Sequence, residues 1–412
     1  MKEANNIPQG YKNSPLGIIP KEWEVKRLGD VCNYVDYRGK SPNKSTKGIF
    51  LVTAKNIREG YIDYEVSQEF IPQDEYEETM RRGKAQIGDV LITTEAPLGH
   101  VAQIDNPNVA LAQRVIKYRG KNDILLNAYL KYFLMSEKFQ TILIANATGS
   151  TALGIKGSRL HQLPVIIPSI KEQELIISVL HLWDTAIEKQ SELIEKFKLR
   201  KRALMQQLLT GKKRLPGFND EWKHVPIKTF AKEVSNRNVG GANHIVLSCT
   251  KYDGLVPSLE YFGKQIYSND LSSYKIIPQG HFAYATNHIE EGSIGYQSNY
   301  ENGLISPMYT VFVTNKEKVN DTFLYSVLKS HHLIYLYKSM MEGSINRRGG
   351  LRWDSFSTIK IDLPSLEEQN VIASVLVKAD EEIELAKEKL SNLQAQKRGL
   401  MQQLLTGKKR VV

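Results

Sequence analysis

Apolar residues recur at alternating spacings of four and three along two long segments of the chain, residues 176–208 and 372–404. Such a repeat is typical of a helix that packs one apolar stripe against another helix in a coiled coil. Lys201 and Lys397 interrupt the stripe at the same heptad position. These lysines either specify the register of the helix pair or mark the place where the helices diverge, and we favour the second interpretation.

The two segments are copies of one sequence. Residues 168–214 align without a gap with residues 364–410, and 25 of the 47 positions are identical. Both copies end in the string LMQQLLTGKKR. The globular segments before the two copies share pattern rather than residues. Identical helices suggest two copies of one partner, or a helix that packs on its twin, whereas divergent globular units suggest two different targets.

Local signals set the ends of each predicted helix. Ser169 stands three residues before Glu172 in a capping-box arrangement, in which the glutamate reaches back to the first backbone N–H groups, and the second copy repeats this pattern. Gly211 and Gly407 suit the left-handed residue that closes a helix. Because both helices lie in one chain, we predict an intramolecular antiparallel coiled coil, which relates the two halves by a pseudo-twofold axis.

The rest of the sequence predicts two globular units that mix helices and strands. Short apolar runs predict strands at residues 48–57, 89–94, 110–118, 244–250, 281–286 and 307–314. One helix is predicted in each unit, at residues 125–140 and 321–340. The predicted fold class is therefore α+β, with a globular unit at 1–165, a long helix at 166–212, a second globular unit at 213–361 and a second long helix at 362–412.

Composition indicates an ordinary globular protein. Of the 412 residues, 41% are hydrophobic and 24% are charged, which is typical of a soluble chain of two or more domains. No apolar run approaches the ~18 residues of a membrane span, and the first residues lack the apolar core of a signal peptide. We therefore expect a cytoplasmic protein, in which Cys32 and Cys249 are buried thiols.

A formal net charge of +10 and a pI near 9.2 favour an anionic partner, nucleic acid first. Arginine reads guanine and asparagine or glutamine reads adenine in the major groove, whereas other basic residues neutralise phosphates. Polar and basic loops of the two units hold the candidate DNA-binding residues: Arg38, Lys40, Lys44, Lys47, Arg81, Arg82, Lys84, Gln113, Arg114, Arg237, Asn238, Asn287, Asn346, Arg347, Arg348 and Arg352.

The C-terminal end of each predicted helix carries two adjacent apolar seams. One seam suits the sister helix and the second suits a further subunit, for which methionine is well adapted. The candidate subunit-interface residues are Leu204, Met205, Leu208, Leu209, Leu400, Met401, Leu404 and Leu405. The alternative is that the globular units of this chain cover both seams. The basic clusters at 196–202, 211–214 and 407–410 are interpreted as solvated cationic faces.

Motifs for catalysis are missing from the sequence. It contains no phosphate-binding G-x-x-x-x-G-K-[ST] loop and no G-x-G-x-x-G string. It also contains no H-E-x-x-H, no paired C-x-x-C and no G-x-S-x-G elbow. We therefore predict no catalytic residue and no metal ligand in this chain.

The chain resembles the specificity (S) subunit of type I restriction-modification enzymes over essentially its whole length. The resemblance rests on LPVIIPSIKEQELI and IKIDLPSLEEQNVI, on the two LMQQLLTGKKR strings, and on DYRGKSP, TAKNIREGYID, IGDVLITT and PLGHVAQI in the first unit. It implies that each globular unit is a target recognition domain for one half of a bipartite DNA site. The coiled coil would then fix the spacer between the half-sites.

The same resemblance implies partners and cofactors. Two modification (methyltransferase) subunits would dock on the coiled coil, and restriction subunits would complete the nuclease. S-adenosylmethionine, ATP and Mg²⁺ would belong to those subunits, and this chain would not be an enzyme. A helical scaffold without DNA readout is the alternative from another class, and a self-contained nuclease or methyltransferase is disfavoured by the missing motifs.

Overall fold

A computed structural model describes residues 7–37, 42–150, 152–342 and 350–411 of the chain. The chain divides into two compact units: unit 1 comprises residues 1–191 and 388–412, and unit 2 comprises residues 192–387. Each unit thus combines one globular region with the N-terminal part of one long helix and the C-terminal part of the other. The domain boundaries that the sequence predicts at the ends of the long helices stay a prediction.

Unit 1 builds its globular region from short strands and helices. In chain order the described strands are β1 (Tyr11–Ser14), β2 (Gly17–Pro20), β3 (Glu24–Arg27), β4 (Cys32–Asp36), β5 (Ile49–Val52), β6 (Phe70–Ile71), β7 (Val90–Thr94), β8 (Leu98–Gln103), β9 (Val109–Leu111), β10 (Val115–Gly120) and β11 (Pro164–Ile167). The described helices are α1 (Leu28–Val31), α2 (Tyr76–Thr79), α3 (Asn127–Met135), α4 (Glu137–Ala145) and α5 (Gly157–Leu160). The long helix α6 (Ile170–Leu208) begins in this unit and ends in unit 2.

The globular region of unit 1 contains two sheets of three or more strands, besides the two-stranded sheets β1-β2 and β3-β11. The larger is antiparallel in the order β4-β10-β7-β8, and the smaller has the order β6-β5-β9 with β5 and β9 parallel. Every residue of β7 is buried, because one face of its sheet packs on the core that contains α3 and the other face packs on the core that it shares with the small sheet. The predicted strand at 110–118 is two strands, since β9 joins the small sheet and β10 joins the large one.

Unit 2 repeats this architecture. Its described strands are β12 (Lys223–Pro226), β13 (Ala231–Val234), β14 (Ile245–Thr250), β15 (Gly254–Pro257), β16 (Lys275–Pro278), β17 (Phe282–Ala285), β18 (Ile294–Tyr296), β19 (Asn302–Ile305), β20 (Tyr309–Thr314) and β21 (Lys360–Leu363). Its described helices are α7 (Ser258–Phe262), α8 (Asp321–Leu328), α9 (His331–Glu342), α10 (Trp353–Phe356) and α11 (Leu366–Leu404), the last of which ends in unit 1.

The sheets of unit 2 follow those of unit 1. The order β13-β20-β17-β18 matches the large sheet, and β14 pairs in parallel with β19 as β5 does with β9. The two single helices predicted at 125–140 and 321–340 are each a helix pair. Ser136 ends α3 and caps α4, because its hydroxyl accepts the Phe139 N–H at 3.3 Å. In unit 2, α8 and α9 are separated in the same way.

Both predicted long helices are confirmed, and each is 39 residues long. Gly211 and Gly407 follow their ends with φ of +66° and +70°, the left-handed conformation that suits glycine. The apolar stripe is buried, with Leu180 at 0% and Leu376 at 2% exposure, whereas Leu182 outside the stripe is 70% exposed. In the described residues no helix has both the length and the apolarity to cross a membrane.

The helices pack antiparallel within each unit. In unit 1, Asp184 on α6 pairs with Lys397 on α11, while Glu172 lies nearer the start of α6 and binds Arg410 beyond the end of α11. In unit 2, Lys201 on α6 pairs with Asp380 on α11. The interpretation that the lysines mark divergence is wrong, because they form ion pairs between the helices. These pairs specify the register.

Both cysteines are buried and free, as expected. Burial raises the pKa of the Cys32 thiol to about 12 and that of the Cys249 thiol to about 12. Both thiols are therefore protonated at neutral pH, and they pack as small apolar side chains.

Candidate nucleic-acid interface

In unit 1 a turn of three residues joins the two sheets, between β9 and β10. Gln113 in this turn lines two clefts, of about 310 and about 390 Å³. The first cleft is also lined by Asn43, Glu78, Arg81 and Arg82, and the second by Glu95, Arg114, Thr148 and Lys156. The structure therefore brings four of the predicted residues, from two separate chain segments, around one turn.

Backbone hydrogen bonds hold the turn in place. The Thr94 N–H donates to the Arg114 carbonyl at 2.9 Å, and the Ile155 N–H donates to the Thr94 carbonyl at 2.9 Å. The Arg114 Nε lies 3.5 Å from a carboxylate oxygen of Glu95, and both side chains are about half exposed. A turn fixed at the junction of two sheets can present its side chains in a defined geometry, as recognition requires.

A buried charge cluster holds the neighbouring loop, residues 80–86. The Asp89 carboxylate, 1% exposed, accepts from Arg119 Nε at 2.6 Å and Nη2 at 2.8 Å, and lies 3.3 Å from Lys117 Nζ. It also accepts the Gln86 N–H at 2.9 Å, and Lys117 donates to the Lys84 carbonyl at 2.9 Å. The loop backbone is thus tied to the sheet while its basic side chains stay exposed.

The Asp89 cluster shifts the pKa of its own members. Burial by itself raises the pKa of the Asp89 carboxyl, but the hydrogen bonds from Arg119 and the Gln86 N–H, with the charge of Lys117, outweigh it. The pKa of Asp89 is therefore below its ordinary value. Burial lowers the pKa of the Lys117 ammonium, an effect that Asp89 opposes.

Three of the other basic candidates of unit 1 form ion pairs on the surface. Arg81 pairs with Glu78 at 3.1 Å, Lys84 with Glu77 at 2.6 Å and Lys44 with Glu69 at 2.7 Å. Arg82 Nη1 donates to the Asp36 carbonyl at 2.8 Å, and Lys47 is exposed. Exposed pairs contribute little to stability, so these cations remain able to exchange their partners for phosphates.

Unit 2 contains an equivalent turn, which is held by the equivalent large sheet. The register of the large sheets makes Thr286 the equivalent of Thr94 and Met308 the equivalent of Arg114. The Thr286 hydroxyl donates to the Met308 carbonyl at 2.9 Å, and the Leu351 N–H donates to the Thr286 carbonyl at 2.9 Å. Exposed Asn287 follows Thr286, and exposed Arg352 follows Leu351. Met308 is 60% exposed.

Two other candidates of unit 2 are placed differently. Asn238 is 2% exposed, its Oδ1 accepts the Ala242 N–H at 2.8 Å, and its Nδ2 donates to the Ala242 carbonyl at 3.0 Å. Its amide therefore folds the loop, and the prediction that Asn238 reads a base is wrong. Arg237 is exposed beside it. Arg38, Lys40, Asn346, Arg347 and Arg348 lie outside the described residues.

A buried carboxylate ties the helix ends to each globular region. In unit 1, Glu172 accepts from Trp23 Nε1 at 2.8 Å and pairs with Arg410. In unit 2, Glu368 accepts from Arg214 at 2.7 and 2.8 Å and from Trp222 Nε1 at 3.1 Å. The serine part of the capping box is confirmed, since the Glu172 N–H donates to Ser169 Oγ at 3.3 Å. The predicted glutamate part is replaced by these longer-range contacts.

The glutamine after each glutamate is buried as well. Gln173 Nε2 donates to the Pro168 and Ile124 carbonyls, and Gln173 Oε1 accepts the Leu126 N–H. Gln369 repeats these contacts with Pro364, Lys318 and Asn320. The repeated P-S-x-x-E-Q string is thus a device for attaching a long helix to its own globular region.

The predicted subunit-interface residues belong to the cores of the units. Met401, Leu404 and Leu405 are at most 7% exposed in the core of unit 1, against which Leu400 packs. Leu208 and Leu209 are buried in the core of unit 2, against which Leu204 and Met205 pack. The assignment of these apolar seams to another subunit is therefore wrong. Each unit needs the seam to cover its own sheet and helices, which was the alternative.

Among the described residues, one group of potential metal ligands lies within 4.8 Å: His288, Glu290 and Glu291. His288 and Glu291 are exposed on a short turn after β17. Exposed acidic groups are common without a cation, and the group suggests no metal chemistry here.

Comparison with known proteins decides the family. The model of the type I restriction modification DNA specificity domain matches residues 20–196 and residues 227–395, which together exceed half of the chain. The chain belongs to the type I restriction-modification specificity family. Its two matches correspond to the two repeated halves. The predicted family is thereby confirmed.

Curated relatives of this specificity protein carry the same description. The putative type I restriction enzyme MjaX specificity subunit of Methanocaldococcus jannaschii is 24% identical over 433 aligned positions, covering 98% of this chain and 97% of that protein. The MjaIX specificity subunit of the same organism is 30% identical over 198 residues, covering 46% of this chain and 45% of that protein.

Solved structures share the fold. The S subunit of a type I restriction-modification system from M. genitalium matches with a TM-score of 0.53 and 15% identity over 98% of both chains. A chain from a structure that addresses complex assembly and conformational transition of the type I R-M system has a TM-score of 0.59 and 16% identity, covering 95% of this chain and 99% of that one. The predicted class, mixed α and β regions with two long helices, is confirmed.

Some residues of the candidate interface were missed in the sequence of this specificity protein. Asn43 and Lys156 line the clefts, and Met308 stands where unit 1 has Arg114. A signal for Lys156 was present, because the ungapped alignment of the two helices, extended backwards, pairs it with the predicted Arg352. Met308 carries no charge or amide and gave no such signal.

Proposed function

We propose that this chain is the non-catalytic DNA-specificity subunit of a type I restriction-modification system, with unit 1 reading one half of a bipartite site and unit 2 reading the other. The proposal rests on one contrast: the two large sheets hold their turns alike, but the turns carry different side chains. Both units hold the same turn with equivalent hydrogen bonds, but Arg114 occupies it in one unit and Met308 in the other. Equivalent frames with different side chains suit two different DNA half-sites.

Charge supports the same proposal. The net charge of +10 attracts phosphates, and the exposed cations around the turn of unit 1 are drawn from several chain segments. Phosphate contacts position a protein on DNA without reading its sequence, whereas side chains that reach the base edges supply specificity. Lys44, Lys47 and Lys84 are assigned to the first role, and Gln113, Arg114, Asn287 and Arg352 are candidates for the second.

We propose the partners by analogy with the family. Two methyltransferase subunits bind the long helices, and restriction subunits join the complex. S-adenosylmethionine, ATP and Mg²⁺ would bind to those subunits. Because the apolar helix ends are core, identical partner subunits would contact exposed residues that both helices share: Arg202 and Arg398, Gln206 and Gln402, Lys212 and Lys408, and Lys213 and Lys409. In unit 1, Gln402 and Lys408 border a cleft of about 800 Å³.

DNA binding by the complex of this chain with its methyltransferase partner tests the proposal. The methylated motif is first mapped in cells that carry the system. Duplexes with this motif or with a random sequence are then compared across a salt series, because non-specific affinity falls steeply with salt. We expect a residual preference for the motif of at least about 10³-fold. Equal affinity for both duplexes at every salt concentration would contradict the proposal.

The role of the helices as a spacer has a separate test. Four residues are inserted after Ser191 in α6 and four after Lys387 in α11, at the division between the units, so that contacts inside each unit are kept. This adds about 6 Å of helix, close to two base pairs at 3.4 Å. The mapped motif should keep its half-site letters and gain a longer spacer. Substitution of four exposed helix residues without insertion is the control, and an unchanged spacer would refute the role.

A further inference from the structure

The turns that precede β10 in unit 1 and β20 in unit 2 lie at equivalent places in the two large sheets. In unit 1 the turn lies between two clefts that share Gln113. Its position is set by the bond from the Thr94 N–H to the Arg114 carbonyl. In unit 2 the Thr286 hydroxyl donates to the Met308 carbonyl at 2.9 Å, as the Thr94 hydroxyl does to the Arg114 carbonyl at 3.4 Å in unit 1. The residue at this position is therefore presented from the same backbone site in both units.

The side chains at and next to this position are charged in unit 1 and uncharged in unit 2. In unit 1, Arg114 lies beside Glu95, whose carboxylate is 3.5 Å from the guanidinium Nε. In unit 2 the equivalent of Glu95 is Asn287, and an apolar Met308 stands beside this exposed amide. A single exposed methionine is ordinary on a protein surface. The inference therefore rests on the position of Met308 in the turn and not on its exposure.

We propose that this position reads one base pair in each half-site: Arg114 of unit 1 recognises guanine, and Met308 of unit 2 recognises the methyl group of thymine. This inference rests on the proposed function. An arginine fork pairs with the O6 and N7 atoms of guanine, and apolar side chains contact the thymine methyl in the major groove. Asn287 is placed to read the adenine of an A·T pair, to which amides bind in a bidentate manner.

Reciprocal substitutions test the two assignments separately. The variants Arg114→Met and Met308→Arg are each combined with the methyltransferase subunits, and the methylated motif of each complex is mapped in cells. Arg114→Met should change one letter, a guanine, in one half-site and leave the other half-site and the spacer unaltered. Met308→Arg should change one thymine in the other half-site. Arg114→Lys and Met308→Leu distinguish the shape of the side chain from its charge or apolarity.

Binding measurements give the size of the effect. A panel of duplexes in which each base pair of the mapped motif is changed in turn is titrated by fluorescence anisotropy at several salt concentrations. Discrimination at the single affected position should fall by roughly 5- to 150-fold, the range for one good base contact. Lys26→Met in unit 1 and Lys223→Met in unit 2 are matched controls on exposed strand residues away from the turn.

Two outcomes of these experiments would overturn the inference. Unchanged letters in both half-sites overturn the inference. A loss of affinity by the same factor on every duplex, with a smaller salt slope, also overturns it, because that is the behaviour of a phosphate contact. In both cases a wild-type complex that still prefers its motif leaves the proposed function standing. Because Arg114 and Met308 are more than half exposed, the variants should keep the melting temperature of the wild type.

Discussion

In unit 1 the Glu172 carboxylate binds Trp23 and Arg410, and in unit 2 the Glu368 carboxylate binds Trp222 and Arg214. The side chains at these anchors are identical. At the turns of the large sheets, by contrast, the frames are equivalent but the side chains are not. The anchor has one task in both units, which is to attach a long helix. The turn has a different task in each unit, so its residues are free to differ.

A second difference separates the units below the turn. The Asp89 of unit 1, with its partners Lys117 and Arg119, corresponds to His281, Val311 and Val313 in unit 2. Unit 1 thus holds its basic loop with a buried charge cluster, and unit 2 has apolar side chains at the positions of the two cations. The stability of the two recognition regions should therefore respond differently to charge removal and to pH.

Removal of the buried carboxylate should have the largest effect on stability. In Asp89→Asn the Lys117 ammonium, whose side chain is 6% exposed, loses its compensating charge. We expect the free energy of unfolding of unit 1 to fall by about 3–5 kcal/mol, as measured by urea denaturation followed by hydrogen exchange of β7 and β10. The matched control, His281→Asn in unit 2, should change it by less than about 0.5 kcal/mol. Similar losses in both units would remove the distinction between them.

Substitution of the buried glutamate that attaches each long helix should destabilise the two units equally. Glu172→Gln and Glu368→Gln each replace a charged acceptor of an arginine with a neutral amide, and we expect each to lower the free energy of unfolding by about 1.5–3 kcal/mol. Glu174→Gln, at an exposed position nearby on α6, is the control and should have little effect. The measurement is denaturation of the whole chain with the same hydrogen-exchange readout. Strongly unequal losses would mean that the repeated clusters do not have the same role.

Protonation of Asp89 at low pH should lower the free energy of unfolding of unit 1 by a smaller amount than these substitutions do. The pKa of Asp89 is lower in the folded chain than the ordinary value near 3.9. Its ionised form therefore stabilises the fold fully above about pH 4, and this contribution is lost as the pH falls through the folded value. The difference in unfolding free energy between wild type and Asp89→Asn should shrink below pH 4. A difference that stays constant down to pH 2 would contradict the assignment.

Local sequence patterns predicted part of this organisation correctly. The repeat of the helices, their capping serines and closing glycines, and the antiparallel pairing predicted from the pseudo-twofold relation of the halves all appear in the structure. Several local predictions failed where a neighbour decided the outcome. The apolar helix ends became core because each unit packs them beneath its own sheet, and Asn238 became a loop-folding amide because its own backbone surrounds it.

The sequence by itself determined the two long helices, the duplication and the family, because periodicity and identity are properties of neighbouring or aligned residues. Only the tertiary structure decided that Glu172 meets Arg410, that β5 pairs in parallel with β9, and that Met308 replaces Arg114. These relations join residues far apart in the chain, and the packing energy that selects them is set by shape and burial rather than by local pattern. The equivalence of the two turns is visible only from the register of their sheets.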